Sequence, residues 1–420
     1  MKKSLFALAA TTAFAGAAQA QSSVTVYGLL DMGYVGYNTR FAEGNTGSKA
    51  VNKTTGNAFS SSAESTSRLG FKGTEDLGGG TSAFFTVELG VTPNSQQAVN
   101  SGATQNRQTF VGLKKNGVGQ FALGTQYTIV HNAVAATDPG QANNISGNLV
   151  YPAVTEGAGS SENSTGAAYT VRTNNTLTLN SDTFAGFKAN AMLMANNKNA
   201  NQTQPVAVSG VSTTTGGLNN QSGWGLGVDY TWNKLYATAN YQAITSKQST
   251  QTTNTAGTTL ATLLPVGAPA TGYGGGGSNN GTNVQDNQWY VAATYDFGIL
   301  KAYAQYINRK VSAQQNSGYY LSRSAEQIGV RSYITPTIEA WASGGLGRYQ
   351  GYGANTANLT AWQIGSNYWL SKRTNLYAIY GQVGTSNASI PSNISGAAVI
   401  SANPVSANIS NYAIGVRHTF

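Results

Sequence analysis

The chain has 420 residues, of which only 9% are charged, and Lys plus Arg (24) outnumber Asp plus Glu (15) for a formal net charge of +9. The surplus is spread thinly with no basic run, which excludes a nucleic-acid-binding surface. There is no cysteine, so disulfides contribute nothing to the fold.

The first twenty residues, MKKSLFALAATTAFAGAAQA, pair a basic start at Lys2 and Lys3 with an apolar run and a small-x-small end at Ala18–Ala20. This is the pattern of a cleaved secretory signal. Removing it leaves a chain from Gln21 to Phe420 in which no stretch approaches ~18 consecutive apolar residues, so a helical membrane protein is excluded. Period two dominates that chain instead. Sixteen alternating segments start near residues 23, 64, 81, 105, 119, 167, 186, 222, 235, 286, 299, 320, 337, 358, 374 and 408. In the second, SRLGFKGTED, Arg68, Gly70 and Lys72 share one face, and Leu69 and Phe71 the other. In LYATANYQ, Leu235, Ala237, Ala239 and Tyr241 oppose Tyr236, Thr238, Asn240 and Gln242. Near residue 290, Trp289, Val291, Ala293 and Tyr295 oppose Gln288, Tyr290 and Thr294. Farther on, Trp362, Ile364 and Tyr368 oppose Gln363, Gly365 and Asn367. Side chains alternate across a strand, so each segment has one wet and one dry face.

Connection lengths alternate as well. Short ones fall at Gly78–Gly80, Asn116, Thr231, Phe297, Pro336 and Ser371. Long ones, rich in Asn, Gln, Ser, Thr and Gly, cover about 39–63, 92–104, 128–166, 197–221, 248–285 and 386–407, with two brief ones on the same side near 313–319 and 351–357. Tight turns at one rim and long loops at the other, in a chain with 51 Gly and 23 Tyr, match an all-β, antiparallel transmembrane barrel. An even strand number lets both ends meet on one rim, and closure leaves no unpaired edge in lipid. Sixteen strands are wide enough for an aqueous lumen. The chain ends on ISNYAIGVRHTF, which places Tyr412, Ile414, Val416, His418 and Phe420 on one face.

QSSVTVYGLLDMG at Gln21, SRLGFKGTEDLGGG at Ser67, NRQTFVGLKKNGVGQFALG at Asn106, RTNNTLTL at Arg172 and the terminal HTF together resemble the Gram-negative trimeric general porins, beta-proteobacterial type. The resemblance implies a 16-stranded barrel in the outer membrane, with short periplasmic turns, long extracellular loops and a third loop folded inward. It also implies a homotrimer surrounded by outer-membrane lipid and lipopolysaccharide, and insertion by the barrel assembly machinery through the last strand, with Val416, His418 and Phe420 as its signal. The function implied is passive diffusion of ions and small hydrophilic solutes, with no enzymatic activity and no cofactor.

Carried over position by position, Arg68, Arg107 and Arg172 fall on the basic wall of the constriction, with Lys72 beside them, and Glu88 on a wall carboxylate. Arg172 would share its face with Asn174, Thr176 and Thr178. Arg suits such a wall because it stays charged and its planar fork holds geometry; rim solvation is the alternative for each. Where many porins carry GRQ, this chain has Gly124-Thr125-Gln126. The acids of the following loop are Asp138, Glu156 and Glu162. Asp138 is the candidate for the carboxylate facing the arginines, and equally a turn residue before Pro139.

Lys188, Arg323 and Arg331 add to the lumen's basic balance, against Asp31 and Asp296, so a weak to moderate anion preference is expected. Tyr236, Tyr290 and Tyr303 point inward without forming a track, which leaves a substrate-specific porin, or a barrel with an added adhesive role, as alternatives. GYGGGG at Gly272 lacks any βαβ context. His131 and His418 lack companion ligands, so metal binding is not expected, and neither joins a nucleophile to make a barrel hydrolase. His131 is expected to be solvated in its loop.

Overall fold

The computed structural model describes residues 23–43, 51–96, 105–152, 168–203, 215–249, 282–314, 320–351, 356–388 and 405–420. The leader at 1–20, Glu156, Glu162, the glycine run at Gly272 and part of each expected long connection lie outside these residues.

Seventeen strand segments form one antiparallel sheet that closes on itself. They are β1 (Ser23–Glu43), β2 (Val51–Ser61), β3 (Arg68–Gly78), β4 (Thr81–Gly90), β5 (Asn106–Lys115), β6 (Gly119–Tyr127), β7 (Arg172–Ser181), β8 (Phe187–Thr203) and β9 (Thr215–Trp232). Next come β10 (Leu235–Ser249), β11 (Thr282–Asp296), β12 (Lys301–Ala313), β13 (Tyr320–Tyr333), β14 (Ile338–Gly351), β15 (Ala357–Trp369), β16 (Thr374–Ala388) and β17 (Val405–Thr419). β2 and β3 lie end to end. The upper half of β1 pairs with β2, from Met32↔Ser61 to Ala42↔Val51, and its lower half with β3, from Ser23↔Thr74 to Leu29↔Arg68. They are two pieces of one wall strand, so the wall has sixteen strands. β17 closes it on β1, Leu29↔Thr419 through Glu43↔Val405.

Burial is inverted relative to a water-soluble protein, as two solvents of opposite character require. On β11, Gln288, Tyr290, Ala292 and Thr294 are buried inside while Trp289, Val291 and Tyr295 are exposed outside. The outward aromatics form two belts, as interfacial rings do. One runs through Trp224–Tyr241, Trp289–Tyr306, Trp362–Tyr380 and Tyr412–Tyr34–Phe59, paired across neighbouring strands. The other sits at the rim of tight turns, with Phe187–Tyr230 and Tyr295–Phe297. The β3–β4 turn at that rim is tight because Gly78, Gly79 and Gly80 all take positive φ, and Asp76 accepts from the Gly78 N–H.

The stretch 39–63 is not the long loop its composition suggests. Thr39–Glu43 and Val51–Ser61 continue the wall as a ribbon, and β8, β9 and β11 are likewise longer than the alternation indicates. Most of β2 is exposed on both faces. Above the bilayer both faces of a strand meet water, so period two has nothing to select it and the pairing is carried by the backbone.

At the C-terminus, Gly28 and Phe420 exchange backbone hydrogen bonds of 3.1 Å, and the Phe420 ring lies over Gly28, where a Cβ would collide with it. Val416 and Phe420 are exposed on the outer face, and the His418 ring meets Thr374 Oγ1 at 2.9 Å.

Candidate channel constriction

The connection after β6 turns inward. Thr128 caps the helix α1 (Ile129–Thr137) by accepting from the His131 N–H, and Asp138 ends it. In its sequence, IVHNAVAAT, Ile129, Val130, His131, Ala133, Val134 and Thr137 are buried while Asn132, Ala135 and Ala136 are exposed, so one face is covered and the other is open. Ile129, Val130, Ala133 and Val134 pack with Met192, Tyr290, Ala292 and Ile307 of the inner wall and with Leu149, Val150, Tyr151 and Tyr169 of the same connection.

Polar contacts fasten the connection around the wall. Thr137 Oγ1 meets the Tyr290 hydroxyl at 2.5 Å, and Arg331 Nη1 donates to the Pro139 carbonyl at 2.6 Å while pairing with Glu339. Arg323 Nη2 donates to the Leu149 carbonyl at 2.6 Å, Gln363 holds Asn143, Ile145 and Ser146, and Ser146 Oγ donates to Asn411. Arg323 and Arg331, expected as lumen charge, are therefore also the donors that hold this connection. Gly381 lets it come close: a Cβ there would overlap the Ser146 carbonyl oxygen. Gly381→Val is expected to lift this segment and give a channel with altered unit conductance and noisier open current in planar bilayers, with the barrel still folded.

Beside the start of this connection lies a charge cluster built on irregular backbone. Glu88 receives Arg107 Nε at 2.7 Å on Oε1 and the Tyr27 hydroxyl at 3.1 Å on Oε2, and Arg68 Nη1 stands 3.8 Å from Oε1. Arg107 Nη2 donates to the Tyr127 hydroxyl at 2.6 Å, and the Arg172 guanidinium lies over the Tyr127 ring, 5.1 Å from its centroid. Lys72 lies over the Tyr27 ring at 5.3 Å. Strand parity would put Arg107 on the lipid face with Thr109 and Val111. Glu88 pairs with Gln108 and Leu89 with Asn106, so Arg107 is the extra residue of a bulge that turns it inward.

Arg172 lies beyond a second shift, where Gly124 pairs with Thr176 and Gln126 with Thr173. The expected shared face of Arg172, Asn174, Thr176 and Thr178 is broken there. Asn174 is exposed and Asn175 takes a positive φ, while Thr176 and Thr178 stay buried inside. Arg68 comes just after a third irregularity, the gap between β2 and β3.

Asp138 does not touch these arginines. Its Oδ2 accepts from the Ala142 N–H at 2.7 Å and its Oδ1 from Asn148 Nδ2 at 2.7 Å and Gln327 Nε2 at 3.4 Å. Burial pushes its carboxyl up, against those hydrogen bonds.

His131 is buried rather than solvated. It stacks on Tyr127 with ring centroids 4.3 Å apart, and its Nδ1 meets the Tyr169 hydroxyl at 3.0 Å. Burial, then Arg172, Arg107 and Arg68, hold its pKa well below the usual 6.5. The undocked segment would take up a proton that the docked one refuses, so docking is fully stable above pH ~6.5 and weakens below it by at most ~1.4 kcal/mol per pH unit. Closures or current noise should therefore increase as pH falls through 6, and His131→Phe should remove that dependence.

One buried site is visible in alternation alone. Asp286, Gln288 and Tyr290 share the inner face of β11, and Ile307, Arg309 and Val311 that of β12. Arg309 and Asp286 form a buried ion pair at 2.6 Å.

A closed sixteen-stranded wall, oily outside and charged within, with an inward connection beside an arginine cluster, has counterparts among known proteins. A family profile described as Gram-negative porin matches residues 7–388. The chain belongs to the Gram-negative porin family. An outer membrane porin protein of Bordetella pertussis is 29% identical over 396 residues, covering 91% of this chain and 94% of that one. Outer membrane porin protein 32 of Delftia acidovorans is 34% identical over 189 residues, covering 45% and 48%. Among solved structures, an anion-selective porin from Comamonas acidovorans superimposes with a TM-score of 0.62 at 18% identity, covering 95% of this chain and 100% of that one. This porin is thus an outer-membrane channel whose wall crosses the membrane by strands.

Proposed function

We propose that this porin is a passive diffusion channel for ions and small hydrophilic solutes with a weak to moderate preference for anions. One observation carries the sign of that preference. Arg68 and Arg107 share a single carboxylate, Glu88, and Arg172 beside them rests on the Tyr127 ring, so the cluster keeps a net charge of about two positive units at pH 7. Arg107 is neutralised by its contact with Glu88, whereas the Arg68 side chain is 22% accessible and offers its field to the lumen. Lys72 extends the basic wall toward the rim of tight turns, which is the periplasmic rim in this reading. The first twenty residues act as the export signal, and the protein works as a homotrimer, in contact with outer-membrane lipid and lipopolysaccharide. Its last strand, with Val416, His418 and Phe420, serves as the signal for barrel assembly.

Purified protein in a planar bilayer under a KCl gradient should give a reversal potential on the chloride side of zero. A clear potassium preference would refute the reading. An adhesive role of the loops with a sealed lumen predicts no unitary conductance at all, so the same recording separates the two.

A further inference from the structure

The break in the second wall strand is larger than a simple bulge. Met32 of β1 faces Ser61 and Leu29 faces Arg68, so three steps along β1 are matched by seven along its partner, an insertion of four residues. The inserted segment, Ser62–Ser67, is folded into the lumen: Ser62, Ala63, Glu64 and Ser67 are buried. Ser62 adopts φ 67°, a conformation that costs a non-glycine residue about 1 kcal/mol and persists only where its surroundings enforce it.

The enforcement is visible. Asp31 Oδ2 accepts from the Glu64 and Ser65 N–H groups at 2.8 and 2.7 Å, its Oδ1 accepts from the Tyr377 hydroxyl at 2.6 Å, and its own N–H donates to Ser67 Oγ. Glu64 in turn accepts from Asn375 Nδ2 at 2.9 Å and stands 3.5 Å from Arg417 Nε.

Two things hang on this segment. Arg68 curls back over it, Nε donating to the Thr66 carbonyl at 2.9 Å and Nη2 to Ser65 Oγ at 2.7 Å. In a continuous strand residues 65 and 68 would point to opposite faces, and Ser65 could not reach the guanidinium. On the other side the segment receives the inward connection: Asn144 donates its N–H to the Ala63 carbonyl at 2.9 Å and its Nδ2 to the Ser62 carbonyl at 2.7 Å and to Thr66 Oγ1 at 3.2 Å.

We propose that the Ser62–Ser67 break is a selectivity-setting clasp. It fixes the Arg68 guanidinium through Ser65, and it ties that guanidinium to the inward connection through Asn144, with Asp31 holding the clasp in shape. Ser65 and Asn144 are then positioning residues for ion selection, although neither carries charge. The proposal rests on the reading of the arginine cluster as the seat of anion preference. A purely structural joint would need the Asp31 contacts but has no use for a serine hydroxyl aimed at a lumen arginine.

The test is a permeability-ratio cycle in planar bilayers at low salt, using full-length channels whose intact fold is shown by heat-modifiable migration. Arg68→Gln should lower the chloride-to-potassium ratio about threefold, the effect of one charge at ~7 Å screened by ~0.1 M salt. Ser65→Ala should lower it roughly twofold, by loosening a charge-assisted hydrogen bond, and Ser65→Thr should restore it. Asn144→Ala should lower it in the same direction with noisier open current. In the Arg68→Gln background neither Ser65→Ala nor Asn144→Ala should change the ratio further. If Arg68→Gln lowers the ratio and Ser65→Ala does not, or if Ser65→Ala acts equally in both backgrounds, the clasp is refuted and the arginine reading stands. If Arg68→Gln leaves the ratio unchanged, both fall.

Discussion

Glu88→Gln should make the channel more anion-preferring, and the double replacement Arg68→Gln with Arg172→Gln should nearly abolish the preference. Among the described residues Glu88 is the one carboxylate of the cluster, in contact with Arg107 and Arg68. Removing its charge raises the local balance from about two to three positive units; removing Arg68 and Arg172 leaves Arg107 and Glu88, which cancel. A unit charge ~7 Å from a permeating ion is worth ~0.6 kcal/mol in unscreened water and about half that in ~0.1 M salt, attracting the anion and repelling the cation by that amount, so each charge moves the permeability ratio roughly threefold. The series is therefore ordered: Glu88→Gln above wild type, wild type above Arg68→Gln, and the double variant near unity. Reversal potentials in dilute KCl check the order. The differences should collapse near 1 M salt, where the Debye length falls from ~10 Å to ~3 Å. A carboxylate that serves only to hold Arg107 in place would give the opposite result, a fall in anion preference on Glu88→Gln as the arginine lost its anchor.

How much of this is legible in the sequence depends on whether two solvents face one strand. Between the aromatic belts, Gln288 and Tyr290 against Trp289 and Val291 is written in the residues, because lipid and water impose opposite demands on alternate positions. Above the belts the rule loses its cause, and residues 51–58, wet on both faces, read as loop although they pair residue by residue with β1. The candidate constriction is visible only through family likeness. Its three arginines each stand next to a disruption of the ladder, at the Ser62–Ser67 break, the Arg107 bulge and the Asn174–Asn175 shift, and a parity argument fails wherever the count slips by one. The burial of His131 is hidden for a related reason. A loop rich in small and polar residues looks solvated, and nothing local shows that Tyr127, Tyr151 and Tyr169 close over the imidazole. The Arg309–Asp286 pair is legible by parity on two neighbouring strands, since both residues fall on the inner face.

That pair supports the second large expectation, that Asp286→Asn destabilises the barrel by ~3–5 kcal/mol, the usual consequence of leaving one member of a buried ion pair alone. Arg309 has no solvent exposure, and its Nε and Nη2 both donate to the Asp286 carboxylate, at 3.0 Å and 2.6 Å to the nearer oxygens. Directly across the ladder from Arg309 stands Arg323 on the same inner face. Without the carboxylate, two guanidinium groups lie side by side in a region closed to water, and like charges directly opposite each other are destabilising. Gln288, which donates to Asp286 Oδ2 at 2.8 Å while accepting from the Thr170 N–H, would lose one of the contacts that hold the end of the inward connection. The loss should therefore appear twice, as a lower urea midpoint for unfolding in detergent and as unsteady conductance in channels that still fold. Replacing the two members together, Asp286→Leu with Arg309→Met, removes both the charge and its counter-charge and should recover most of the midpoint. If Asp286→Asn instead left midpoint and conductance at their wild-type values, Arg309 would have to reach water in the working channel, and the wall at β11–β13 would be part of the open lumen.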